Sequence, residues 1–150
     1  MPQSGPISLP VRPRWRDLAD VAAIQRASFP GDLAYKRWML AFFMLTPGVT
    51  FLVTKDEETI TGNIIADTHR GMMRIMNIAV HPDYRQRGIG RLLMTTAMDQ
   101  RPDTSVILMV QEQNTQAQSL YTSLGFVRTG YSAAYYGRGY PGIEMTLKRS

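Results

Sequence analysis

The sequence contains no cysteine, which excludes a disulfide framework, thiolate metal sites and a cysteine nucleophile together. Two histidines, His69 and His81, leave little from which to build a zinc centre. The longest apolar run, Trp38 to Leu45, is eight residues, far short of the ~20 needed to span a bilayer. No basic n-region followed by an apolar h-region opens the chain. The expectation is therefore a cytoplasmic protein with no membrane partner and no metal. Charged residues are only 19% of the 150, while hydrophobic residues are 44%, the balance of a folded chain rather than a disordered one. A chain of this length holds its own core, so residues 1–150 read as one domain, with Met1–Gly5 as a flexible lead.

What the chain does carry is an excess of cations: 17 Lys+Arg against 12 Asp+Glu, a net charge of +5 and a pI near 9.8. Such a balance favours an anionic partner. The basic residues are scattered except for Arg85, Arg87 and Arg91, which stand around Gly88 and Gly90. That compact focus suits the few phosphates of a small molecule better than a polymer backbone. No helix-turn-helix and no aromatic-plus-basic platform supports a nucleic-acid partner.

Periodicity and punctuation give the element order β-α-α-β-β-β-α-β-α-β-β. Ile7–Trp15 reads as an edge strand, restricted by Pro10 and Pro13. Asp17 reads as the N-cap of a helix reaching about Ala27, with Leu18, Val21, Ala22 and Ile24 inward. Pro30-Gly31 breaks it, and Leu33–Leu45 forms a second helix, apolar nearly all round and expected to be buried. Val49–Thr54, Ile60–Asp67 and Met72–Val80 are strands, and a helix follows on Ile89, Leu92, Leu93 and Ala97. Val106–Val110 is a buried strand, Asn114 caps the last helix, and Gly125 ends it. Phe126–Tyr136 and Ile143–Leu147 are strands around a Gly- and Tyr-rich loop. This is an α/β (α+β) domain whose mixed, mostly antiparallel sheet of six to seven strands is flanked by about four helices.

The segment Arg85-Gln86-Arg87-Gly88-Ile89-Gly90-Arg91 lies at a strand-to-helix junction, where glycines permit close backbone approach and the helix start favours an anion. It is not a dinucleotide fingerprint, because the third glycine position holds Leu93, and it lacks the Gly-Lys-Ser/Thr of a P-loop. Ile78-Ala79-Val80-His81-Pro82-Asp83-Tyr84, followed by Arg85-x-x-Gly88-x-Gly90, resembles the acetyl-CoA signature of the GNAT N-acetyltransferase superfamily. Asn114 through Leu120-Tyr121-x-x-Leu124-Gly125-Phe126 resembles the second cofactor segment of that family. Tyr135-Tyr136 is similar to the tyrosine pair of protein N-terminal acetyltransferases, the bacterial ribosomal-protein alanine acetyltransferases among them.

The resemblance implies a GNAT fold and direct transfer of acetyl from acetyl-CoA to a primary amine. It implies that the backbone of Ile78, Ala79 and Val80 holds the acetyl and pantetheine groups. The pyrophosphate would sit on backbone N–H groups from Gln86 through Gly88, Ile89, Gly90 and Arg91, with Arg85, Arg87 and Arg91 adding charge. Asn114 would contact the cofactor while also capping its helix. Tyr121 matches the tyrosine that protonates the leaving thiolate, against the alternative of a plain core tyrosine. Tyr135 and Tyr136 would grip the first peptide unit of an acceptor. The family's base, Glu or His in the strand before the Asn block, falls on Met109, which takes no proton. Glu112 is the candidate base, with Asp67, His69 or a water as further options. A missing base is better tolerated by an α-amine, roughly 30% neutral at pH 7.4, than by lysine, roughly 0.1% neutral. The expected acceptor is thus a protein or peptide N-terminus. A small-molecule amine and a non-catalytic acetyl-CoA-binding module are the alternatives, and a homodimer is left open.

Overall fold

The computed structural model describes residues 8–149; the expected lead at Met1–Gly5 lies outside them. Its six strands are β1 (Val49–Asp56), β2 (Thr59–His69), β3 (Met72–Val80), β4 (Ser105–Gln111), β5 (Val127–Ser132) and β6 (Gly142–Leu147). The helices are α1 (Leu18–Ser28), α2 (Arg37–Leu45), α3 (Ile89–Asp99) and α4 (Thr115–Ser123). The sheet runs β1-β2-β3-β4-β6-β5. All neighbours are antiparallel except β3 and β4, which α3 joins as a parallel pair.

Alternation along the strands builds a core on each side of this sheet. Leu52, Ile64 and Ile75 pack with Leu93, Met94 and Ala97 of α3 and with Tyr121 of α4. Phe51, Val53 and Ile65 face the other way, onto Leu18, Val21 and Ile24 of α1 and Leu40 of α2. Helices thus cover both faces, and each fully buried large side chain contributes roughly 1.5–3 kcal/mol.

Four expectations are corrected at the N-terminal side. Instead of a strand over Ile7–Trp15, the described part makes a single bridge, in which Val11 and Val53 exchange backbone hydrogen bonds at 2.9 and 2.7 Å. Pro10 and Pro13 lack the N–H groups that would extend it. Asp17 does not cap α1. Its Oδ2 accepts from the Arg14 N–H at 2.7 Å and from Lys55 Nζ at 3.1 Å, closing a short 3-10 turn at Trp15–Asp17 against β1. The second helix begins at Arg37, not Leu33, after a 3-10 turn at Gly31–Leu33. Nor is it buried all round: Leu40 is fully buried and Ala41, Phe43 and Met44 pack against the core, while Trp38, Phe42 and Leu45 are exposed. Composition alone could not tell which face of so apolar a helix meets the sheet.

The other elements follow the sequence closely. Asn114 Oδ1 accepts from the Ala117 N–H at 3.1 Å and caps α4. Gly125, at φ +100°, ends it. β5 stops at Ser132, so the expected strand to Tyr136 turns into the loop that carries Tyr135 and Tyr136. Among the described residues, no helix is long and apolar enough to cross a membrane, and no cluster of three or more His, Asp or Glu could hold a metal.

Candidate active site

The site originates in a defect of the sheet. Between β2 and β3, Ile65 opposes Asn77 and Ala66 opposes Ile75, so Met76 is an extra residue in β3. Such a bulge increases the local twist and reverses the alternation of faces. Met73 and Ile75 point to the α3 side, whereas Ala79 joins the α1 core. Asn77 is delivered into a buried amide network. There Gln25 Nε2 donates to Asn77 Oδ1 at 2.7 Å and Asn63 Oδ1 at 3.0 Å, and Asn77 Nδ2 donates back to Gln25 Oε1 at 3.0 Å.

The bulge also turns the end of β3 away from β4. The parallel pairing covers only Met72–Ile75 against Ser105–Leu108. Beyond it the facing edges of β3 and β4 have no strand partner, and a wedge opens through the sheet. Two cavities meet in this wedge. One, of about 400 Å³, is bounded by the end of β3, the glycine-arginine turn, the start of α3, and α4. The other, about 710 Å³, lies between the α1–α2 connection and the β5–β6 loop. Both are lined by Ser28, Phe29, Ile78, Asn114 and Tyr121.

The smaller cavity collects nearly all the residues expected to hold a cofactor: Ile78, Ala79, Val80, Arg85, Gln86, Gly88, Ile89, Gly90, Arg91 and Asn114. Gln86 and Gly88 have φ of +63° and +81°, and Gly88 is the left-handed N-cap of α3. Left-handed residues in a tight turn aim successive N–H groups into one concavity, suited to adjacent phosphate oxygens. Gly90 serves packing: a Cβ there would stand 3.2 Å from Leu120 Cδ2.

The arginines are less free than the sequence implies. Arg85 Nε donates to the Val80 carbonyl at 3.1 Å. The Arg91 guanidinium donates to Ser123 Oγ at 2.5 Å, tying α3 to α4. Arg87 lies over the Tyr84 ring, 5.0 Å from its centroid, and does not line the cavity. Ser28 and Phe29 line it unannounced by any motif, because they arrive from the end of α1 through the tertiary fold.

Tyr121 is 5% exposed and stands beside Phe126, with ring centroids 5.9 Å apart. Burial pushes its phenol up to about 12, so it keeps its proton throughout the neutral range. Core packing and a place at the wedge are both true of this residue.

The larger groove brings Tyr135 and Tyr136 to the same place. Their rings meet edge-on at 4.8 Å. Burial raises the Tyr136 phenol, and the nearby Tyr135 and Tyr121 phenols raise it further. Gly142 makes this possible, since a Cβ there would fall 2.9 Å from Tyr135 Cβ and 3.0 Å from the Met109 methyl. Met109 is thus apolar floor beneath Tyr135. Tyr35 closes the opposite lip, its phenol raised mainly by burial and then by Tyr135.

The proposed base residues are not gathered here. Glu112 is exposed and lines neither cavity. Asp67 is held by Arg74 in a two-pronged pair at 3.2 and 2.6 Å. His69 is exposed at the end of β2. Arg74, Tyr35 and Glu144 line the groove without a sequence signal, since they come from three separated elements.

Residues 47–128, more than half of the chain, match the family described as "Acetyltransferase (GNAT) domain". The [ribosomal protein bS18]-alanine N-acetyltransferase of Salmonella typhimurium is 38% identical over 65 residues, 41% of this chain and 44% of that protein. N-alpha-acetyltransferase 30 of Xenopus laevis is 34% identical over 109 residues, 67% of this chain and 40% of that protein. The chain covers less than half the length of these curated relatives. Among solved structures, the Escherichia coli ribosomal-protein-S18-alanine N-acetyltransferase superposes with a TM-score of 0.81 at 24% identity, over 96% of this chain and 93% of that one. Ard1 from Thermoplasma volcanium gives 0.82 at 23% identity, over 96% and 97%.

Proposed function

The chain belongs to the GNAT acetyltransferase family, and we propose that it is an acetyl-CoA-dependent N-acetyltransferase whose acceptor is a protein or peptide N-terminal α-amine. The observation that carries this reading is the meeting of two cavities at Tyr121 through the wedge between β3 and β4. One cavity ends in an anion-suited turn, the other in a tyrosine-lined groove open to solvent. The residues fit acetyl-CoA: backbone on the free β3 edge for the acyl and pantetheine amides, and N–H groups at the α3 start for the pyrophosphate.

Bound acetyl-CoA supplies an activated acyl group as a thioester. The chain's part is to hold the acceptor nitrogen on the line of attack and to stabilise the charge that develops. Backbone N–H groups on the β3 edge would stabilise the carbonyl oxygen as it becomes negative. Tyr121 would donate a hydrogen bond to the departing sulfur. Tyr136 and Tyr135 present hydroxyls along the groove for the first peptide unit of the acceptor. Met109 does not take up a proton, which favours an acceptor already partly neutral at physiological pH, as an α-amine of pKa about 7.8 is.

Calorimetric titration with acetyl-CoA, followed by thiol release on N-terminal peptides, lysine-side-chain peptides and small amines, tests the proposal. Micromolar binding with release on free N-termini is expected. Release only on small amines would replace the peptide reading. Binding with no release on any acceptor would make the chain a cofactor-binding module, and absence of binding would end the proposal.

A further inference from the structure

We infer that Glu144 is the proton acceptor for the incoming amine, reached through one bridging water, in the role that Met109 cannot fill. This rests on the acetyltransferase reading. Met109 of β4 and Glu144 of β6 are directly opposed in the antiparallel register, and opposed residues project from the same face of a sheet. The carboxylate missing at Met109 is therefore present on its cross-strand neighbour, facing the groove that also contains Tyr121 and Tyr136.

The surroundings are arranged for that carboxylate. Its partner on the other side is Gly130 of β5, where a Cβ would stand 3.3 Å from Glu144 Cβ and 3.5 Å from Oε1. Glycine leaves the surface on which the side chain lies. Thr129 Oγ1 donates to Oε1 at 2.7 Å and contacts Thr146 Oγ1 at 2.8 Å. One carboxylate oxygen is anchored on hydroxyls that lead to solvent, and Oε2 remains for the groove. The titratable groups lining the groove with it are Asp32, Tyr35, Arg74, Tyr121, Tyr135 and Tyr136, and the adjoining β5 carries Arg128 and Tyr131. Arg74 is committed to Asp67. Strands are spaced about 4.8 Å apart, so a β6 carboxylate stands one water's width beyond a β4 one.

The step balances as follows. The acceptor nitrogen forms the C–N bond with the acetyl carbon, and the C–S bond breaks. The nitrogen's surplus proton passes through water to Glu144 and leaves by way of the Thr129 side. The sulfur leaves as a thiolate hydrogen-bonded by the Tyr121 hydroxyl and takes its proton from solvent.

Thiol-release kinetics on an N-terminal peptide, with acetyl-CoA affinity measured alongside, test the assignment in the wild type, Glu144→Gln, Glu144→Gln/Met109→Glu and the control Glu58→Gln. Glu144→Gln keeps an oxygen for Thr129 but accepts no proton. Its kcat at pH 7 should fall about 30-fold or more, with acetyl-CoA affinity within about twofold, as expected for loss of a proton acceptor. The deficit should shrink at pH 9, where the α-amine is mostly neutral. Met109→Glu should restore at least about tenfold on that background, and Glu58→Gln should match the wild type. An active wild type with Glu144→Gln within about twofold would overturn the assignment. So would an equal loss at every pH that Met109→Glu does not rescue. A wild type inactive on every amine would instead refute the acetyltransferase reading on which this one stands.

Discussion

Tyr121→Phe tests the chemistry of the wedge with the least disturbance of its packing. The ring is retained against Phe126, so the core and the cofactor cavity keep their shape. Only the hydroxyl is lost. With burial holding the phenol at about 12 and a thiol near 8.5, complete proton transfer to a free thiolate would be uphill by about 5 kcal/mol. In the proposed reaction Tyr121 therefore acts first as a hydrogen-bond donor to sulfur as negative charge develops. A hydrogen bond to a charged acceptor is worth about 1.5–3 kcal/mol, so kcat should fall about 10- to 150-fold. Acetyl-CoA affinity by calorimetry should stay within about twofold. The same burial makes a second forecast. The folded-state pKa lies above the unfolded value of 10. This contribution to stability is thus fully present below pH 10 and is lost as pH rises through 12, by about 3 kcal/mol. Denaturant titrations between pH 10 and 12 should show a shallower decline in the Phe variant. A kcat within threefold of wild type, or an unchanged alkaline decline, would refute this account of Tyr121.

The remaining predictions concern positions that act before chemistry. Gly88→Glu places a side chain on a left-handed residue, at φ +81°, and a negative charge beside the expected pyrophosphate. Acetyl-CoA affinity should drop at least about 100-fold in a folded protein, whereas Gly88→Ala should mainly cost about 1 kcal/mol of stability; normal cofactor affinity in the Glu variant would remove the turn from the site. Gln25→Leu strands the buried Asn77 Nδ2 donor, whose bond to Gln25 Oε1 is 3.0 Å. It should destabilise the fold by about 2–4 kcal/mol, lowering Tm by roughly 6–12 °C, which calorimetry would read. Gly142→Ala drives a methyl into Tyr135 and Met109 at 2.9 and 3.0 Å. It should raise the acceptor KM about tenfold, leaving acetyl-CoA affinity unchanged; equal effects on both substrates would mean that Tyr135 does not line the acceptor side.

The local signals carried a long way. The glycine-arginine turn, the Asn114 cap, the Gly125 stop and the alternating strands are each written within a few residues, because a left-handed turn, a capping oxygen or a two-residue period depends only on near neighbours. From those the glycine-arginine turn beside the wedge and the helix that carries Tyr121 were legible. What the sequence could not disclose depends on partners far along the chain. The Met76 bulge exists only relative to β2, and with it the splay of β3 from β4 that opens the wedge. The orientation of α2, with Leu40 inward and Trp38 outward, is set by the one face that can reach the sheet. Lys55, 38 positions away, takes Asp17 from its expected cap. Glu144 had no motif to mark it, and its place opposite Met109 follows from pairing two strands that are distant in sequence. Local propensity determined which elements form and where a phosphate-suited turn lies. Strand register, a long-range choice made by burial on both faces of the sheet, decided which side chains share the groove.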